Sequence, residues 1–274
     1  MNKTICVLIR VFNRIHDLEL NLEIIKKTWT NNKYYIIISS NGKSSGYHLT
    51  KNIYENVDHV LEIENNSGLL KGNSQLLLEG VKNIPNECDY TILLEADTWM
   101  FTDSLICKYI LMMEQENAVW ASAKWYDKYY SNATDFAIVN TSFLLANSSI
   151  VDFSILPECW IASYLLKTGQ KSIYIKELMP VHVPSYIRKY FYAPQGRFFI
   201  FPNGKMVTYH IEYFKKGMDE KKYFFNVISK YRFFETSINK NYKMELIKIK
   251  LSISLSYIFL KRSWYSNQKY HLFL

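Results

Sequence analysis

Two carboxylates, Glu95 and Asp97, flank Ala96 in the segment YTILLEADTWMF, residues 90–101. Oxygen ligands two positions apart at a bend can both reach a hard divalent cation. Mg2+ or Mn2+ bound in that way keeps water and takes substrate phosphate as further ligands. The same two acids also suit solvated turn positions, and Asp97 suits the cap of a helix starting near Asp103. Lys71, in NSGLLKGN at 66–73, is a cation able to meet a diphosphate or to stay in water. His182 stands among two valines and two prolines in MPVHVP, a setting that fits a core or loop histidine as well as a ligand.

Acids that act together must be held by the chain around them. Thr91, Ile92, Leu93 and Leu94 form a β-prone run directly before Glu95, the pattern of a strand buried on both faces. Open α/β sheets place their chemistry at the C-terminal ends of such strands, so the acids belong at the mouth of a cleft. Residues 5–11 read as a first strand, followed by Leu18, Leu22, Ile25 and Trp29 at helical spacing. Residues 34–39 make a second strand, ended by the turn formers Ser40, Asn41 and Gly42. A short third strand at 60–63 leads through the loop at 66–73 to a helix from about Asn73 to Val81. This alternation predicts an α/β fold, a Rossmann-like, mostly parallel sheet flanked by helices. Further on, 103–116 reads as a helix, 119–124 as a strand and 135–145 as another extended segment. Pro157 and Glu158 start a helix closed by Gly169, and 172–175 is a strand.

A chain of 274 residues accommodates a catalytic domain over 1–204 and a C-terminal extension over 205–274. Net charge is +8, yet residues 205–274 carry 14 Lys and Arg against 5 Asp and Glu, a balance of +9 that leaves about −1 for the rest. Basic character confined to an aromatic tail fits an anionic membrane surface, and nucleic acid is not the expected partner. Segment 244–260 alternates like a strand and also fits a helical stripe. Its length and the flanking Lys261, Arg262 and Trp264 favour a helix on protein or at the membrane interface. Cys6, Cys88, Cys107 and Cys159 match no zinc spacing and read as buried thiols of a reducing compartment. The apolar run at 5–9 is too short and too soon charged for a signal peptide, and no stretch has the length of a membrane span. The expected location is the cytoplasm, with the tail able to hold the protein peripherally on the cytoplasmic face of the membrane.

In this order the features resemble those of the GT-A fold glycosyltransferases, above all the large inverting family that includes bacterial polysaccharide and lipopolysaccharide enzymes. VFNR at 11–14 looks like the polar motif at that family's first strand end, which implies donor-binding roles for Asn13 and Arg14. Ser40 and Asn41 stand where the family holds the nucleotide base, and Gly68, Lys71 and Asn73 resemble its loop before the next helix. Its metal motif, Asp, any residue, Asp, is matched by Glu95, Ala96 and Asp97, with Glu as a departure in the first position. Glu158, Gly169 and His182 resemble the family's acid at a helix start, closing glycine and later histidine, although Cys159 replaces the usual second acid. The likeness covers residues 3–183 and leaves the tail aside.

What the resemblance implies is transfer of a sugar from a nucleotide-sugar to a glycan or lipid-linked glycan, with inversion, in lipopolysaccharide, capsule or related surface polysaccharide synthesis. It implies Mn2+ or Mg2+ on Asp97, with Glu95 supporting the metal or the ribose and His182 completing the shell or touching phosphate. Glu158 is the implied base that removes the acceptor hydroxyl's proton. Two other readings compete. A sugar-phosphate nucleotidyltransferase would need a Gly-rich basic loop after the first strand, and VFNRIHD is not one. A basic RNA or polyanion binder would need a recognisable module, and none stands out.

Overall fold

The computed structural model describes residues 3–42, 46–125, 129–175, 178, 180–181, 196–200, 206–210, 217–229, 233–238 and 240–259. Its elements begin with β1 (Thr4–Val11), α1 (Ile15–Thr28), β2 (Lys33–Ser40), α2 (Lys51–Glu55), β3 (His59–Glu62), α3 (Leu69–Lys82), β4 (Tyr90–Glu95) and β5 (Thr98–Trp99). They continue with α4 (Ser104–Glu116), β6 (Trp120–Ser122), β7 (Phe136–Asn140), α5 (Thr141–Ala146), a 3-10 turn (Ser148–Val151), α6 (Pro157–Lys167) and β8 (Ser172–Tyr174). Then come β9 (Pro180–Val181), β10 (Gly196–Ile200), β11 (Met206–His210), α7 (Gly217–Ser229) and α8 (Tyr242–Phe259).

Among the described residues the larger sheet has the order β3-β2-β1-β4-β7-β6-β8. β1 runs parallel to β2 and β4, β2 to β3, and β6 to β8, while β7 is antiparallel to both of its neighbours. The expected α/β, mostly parallel sheet flanked by helices is therefore present. Alternation along β1 sends Ile5, Val7 and Ile9 into one core with Leu18 and Leu22 of α1 and Leu105 and Tyr109 of α4. Cys6 and Leu8 point the other way, into a core with Leu77 and Val81 of α3 and Ile161 and Leu165 of α6. Helix α3 lies so close to β1 that a Cβ on Gly80 would stand 2.3 Å from Leu8 Cδ1.

A second sheet, in the order β5-β11-β10-β9, starts from the strand directly after Asp97. The acidic corner is thus the turn by which the chain leaves one sheet for the other. Helix α7 covers that passage. Phe225 stacks on Phe101 with ring centroids 3.7 Å apart, and Trp99 meets Phe225 edge-on at 6.3 Å. The expected boundary at residue 204 falls between β10 and β11, which pair antiparallel, and β11 pairs in turn with β5. The ambiguous tail segment is helical as α8. Among the described residues no helix is long and apolar enough to cross a membrane.

Two expectations need correction. The expected loop at 66–73 is loop only as far as Gly68, because α3 begins at Leu69. Asn66 drives that early start: its Oδ1 accepts from the Gly68 N–H at 2.8 Å and its Nδ2 donates to the Gly72 carbonyl at 2.9 Å. Gly72 makes room for this clasp, since a Cβ there would stand 2.1 Å from Asn66 Oδ1. The segment 135–145 is extended only in β7. Asn140 accepts from the Phe143 N–H through its side chain at 2.9 Å and so caps α5.

Candidate active site

The parallel register sets Arg10, near the end of β1, opposite Glu95, the last residue of β4. A guanidinium inside an otherwise apolar strand needs a charged partner, because burying it alone costs several kcal/mol at least. Arg10 is 4% exposed, and its Nη2 is ion-paired with Glu95 and donates to the Thr134 carbonyl at 2.8 Å. Its other terminal nitrogen, Nη1, is buried and makes no hydrogen bond. Glu95 is therefore a half-buried member of an ion pair and not a solvated turn residue.

Asp97 follows in the turn, 8% exposed, with its Oδ2 4.0 Å from Nε of the exposed Arg14. Asp103, not Asp97, stands at the start of α4, and its carboxylate accepts from the Asn31 N–H at 2.7 Å and the Tyr34 hydroxyl at 2.8 Å. The backbone of the acidic turn is gripped from two directions. Asn21 of α1 donates through Nδ2 to the Ala96 and Thr98 carbonyls at 3.2 and 3.0 Å. Lys221 of α7 donates to the Asp97 carbonyl at 3.1 Å, is ion-paired with buried Asp17, and lies 4.1 Å above the Trp99 ring. Burial pushes the Lys221 ammonium below the usual lysine range, and the charges of Asp17 and Asp97 oppose that shift.

Above this floor opens a cavity of 610 Å3 at the C-terminal ends of β1, β2 and β4. Six of the residues singled out from sequence line it: Arg14, Asn41, Gly68, Asn73, Glu95 and Asp97. The others do not meet there. Asn13 and Lys71 are exposed, Lys71 on the first turn of α3, and neither lines the cavity. Glu158 is half-buried in the first turn of α6, away from the lining, and its main-chain carbonyl accepts from the Asn132 N–H at 2.9 Å. His182 lies outside the described residues.

Residues not foreseen from the sequence complete the picture. Phe12, 45% exposed, offers an aromatic ring on the cavity wall with Tyr47 6.1 Å away. Arg10 was visible as the one charge within the strand TICVLIRV, where burial demands a counter-ion. Lys221 gave no such sign, because lysines abound in the tail and only the tertiary fold shows which one is buried.

Among the described residues no three His, Cys, Asp or Glu side chains cluster as a cage for a metal ion. With Glu95 engaged by Arg10, Asp97 beside Arg14 is the second carboxylate on the cavity lining. That donor set fits Mg2+ or Mn2+, which accept one or two protein carboxylates and fill their shells with water and phosphate oxygens. It does not fit a cation enclosed wholly by protein.

No protein-family model and no curated protein matches the chain. Solved structures do. A mannosyltransferase from Pyrobaculum calidifontis in complex with GDP-Man and Mn2+ superposes with a TM-score of 0.51 at 8% identity, over 95% of this chain and 77% of that one. Mouse xyloside xylosyltransferase 1 gives 0.45 at 8% identity over 69% and 91% of the two chains. A 4-diphosphocytidyl-2C-methyl-D-erythritol synthase from Anaerococcus prevotii gives 0.44 at 13% over 63% and 88%. The first likeness is one of fold, and the other two are too distant to carry weight.

Proposed function

We propose that this chain, whose fold is that of the GT-A glycosyltransferases, transfers a sugar from a nucleotide-sugar donor to a glycan or lipid-linked glycan acceptor with inversion, in the synthesis of a surface polysaccharide such as lipopolysaccharide or capsule. The observation that carries the reading is the pair of strand-end acids on one cavity with Arg14, Asn41, Gly68 and Asn73. The cavity's dimensions suit a nucleotide-sized ligand.

For the residues on the cavity the assignment follows from their surroundings; for Asn13, Lys71, Glu158 and His182 it rests on the family resemblance. Phe12 gives the base a ring to lie against, and Asn41, at the end of β2, offers an amide to the base edge. Glu95, its direction fixed by Arg10, accepts a ribose hydroxyl. Asp97 and, by the family resemblance, His182 would hold Mn2+ or Mg2+, which would supply a Lewis acid for the departing diphosphate. Arg14 adds a positive charge on the same side, and the exposed Asn13 and Lys71, by the family resemblance, would reach the donor from outside the lining. By the family resemblance, Glu158 takes the acceptor proton.

Activity assays over a panel of nucleotide-sugars test the reading, with released nucleoside diphosphate as the readout. Glu158→Gln is expected to leave donor binding within about twofold and to lower transfer by roughly 10²–10⁴-fold. A variant that transfers at the wild-type rate would remove Glu158 from the role of base.

A further inference from the structure

Helix α8 carries an apolar row on its outward side. Met244, Ile247 and Leu251 are 51%, 51% and 49% exposed, and spacings of three and four put them on one face. The other side is docked: Glu245 is 7% exposed, and Tyr242 meets Tyr223 of α7 with ring centroids 5.2 Å apart. At about 100° per residue, Lys243 and Lys250 fall to one side of the row, and Lys248, ion-paired with Glu245 at 3.1 Å, falls to the other. Immediately before the row, Lys240, Asn241 and Lys243 line an open, polar groove of 780 Å3.

Charge decides what this face meets. The segment 205–274 holds a balance of +9, whereas the rest of the chain is close to neutral. A protein partner would need an apolar groove with acidic groups along both rims. An anionic bilayer presents that chemistry at every point, with phosphates surrounding an acyl boundary, and lysine stems can lie along the apolar layer while their ammonium groups reach the phosphates. The helix is not long and apolar enough to cross, so contact with a bilayer would be made through the exposed row alone.

We propose that α8 docks on an anionic phospholipid bilayer, with Met244, Ile247 and Leu251 entering the acyl boundary, Lys243 and Lys250 on lipid phosphates and the groove at 240–243 receiving a headgroup. The inference rests on α8 and stands apart from the glycosyl-transfer reading, so either can fail without the other.

Sedimentation of the full chain with vesicles tests it, comparing phosphatidylcholine alone with phosphatidylcholine mixed with phosphatidylglycerol. The chain is expected to sediment with the mixed vesicles alone and to be released as salt rises. I247S/L251S is expected to weaken binding at least about tenfold, and K243Q/K250Q by about fivefold per lysine. Both variants alter exposed positions and should keep the parent's circular dichroism and Tm; if the serine variant unfolds, the lysine variant carries the test. Absence of sedimentation with the mixed vesicles overturns the proposal, as does binding that survives both variants. A wild-type dimer that I247S/L251S dissociates also overturns it, because the face would then join two copies of the chain.

Discussion

Arg10 and Glu95 show how a site residue can be fixed by an electrostatic necessity of the core. Glu95→Gln leaves a buried guanidinium without its counter-charge and should cost about 1–3 kcal/mol, less than a fully buried pair would because Glu95 keeps some contact with water. Adding Arg10→Met should recover most of that loss, and urea denaturation of both variants measures the difference. The cysteines respond to burial in the same way. Burial lifts the Cys88 and Cys159 thiols to about 11 and raises Cys6 as well, whereas Cys107 is only partly covered. A raised pKa leaves about one part in a thousand of Cys88 and Cys159 as thiolate at pH 8, a share that grows about tenfold per pH unit towards the pKa. Iodoacetamide at pH 8 should therefore label Cys107 first in the native protein and all four cysteines in denaturant, as counted by mass spectrometry.

At the scale of elements, the acidic turn depends on a helix more than 100 residues later in the chain. Lys221→Met leaves Asp17 buried and uncompensated, and should cost about 3–5 kcal/mol. The double variant D17N/K221M removes both charges and should recover most of the stability. If Lys221 also holds the Asp97 carbonyl in place, the recovered protein will still bind a nucleotide-sugar more weakly than the wild type; wild-type affinity in the double variant would confine Lys221 to a structural role. Sequence periodicity made β1, α1, β2, β4 and α4 legible because each buries a regular apolar face. It could not show the start of α3, where the Asn66 clasp and the missing side chain of Gly72 override the loop signals of Gly68 and Asn73. Nor could it show β5, whose two residues are held by pairing with β11 over a separation of more than 100 positions.

At the scale of the molecule, the acids, Arg14, Asn41, Gly68 and Asn73 converge because three neighbouring parallel strands end at one edge of the sheet. That convergence was legible in the order of motifs along the chain. The buried supports Asn21, Asp17 and Lys221 were not, since polar residues in helices read as solvent-facing until the fold buries them. Membrane docking through α8, as proposed above, would let a chain with this cavity meet a lipid-linked acceptor. Its central claim is that Asp97 grips the diphosphate of a nucleotide-sugar through a divalent cation. Isothermal calorimetry with a panel of nucleotide-sugars, with and without Mn2+, measures this directly on the wild type and on Asp97→Asn. The account predicts Mn2+-dependent binding of at least one donor by the wild type and its loss by at least about tenfold in a folded Asp97→Asn protein. Binding that is equally strong in Asp97→Asn, or no binding of any donor by the wild type, would contradict it.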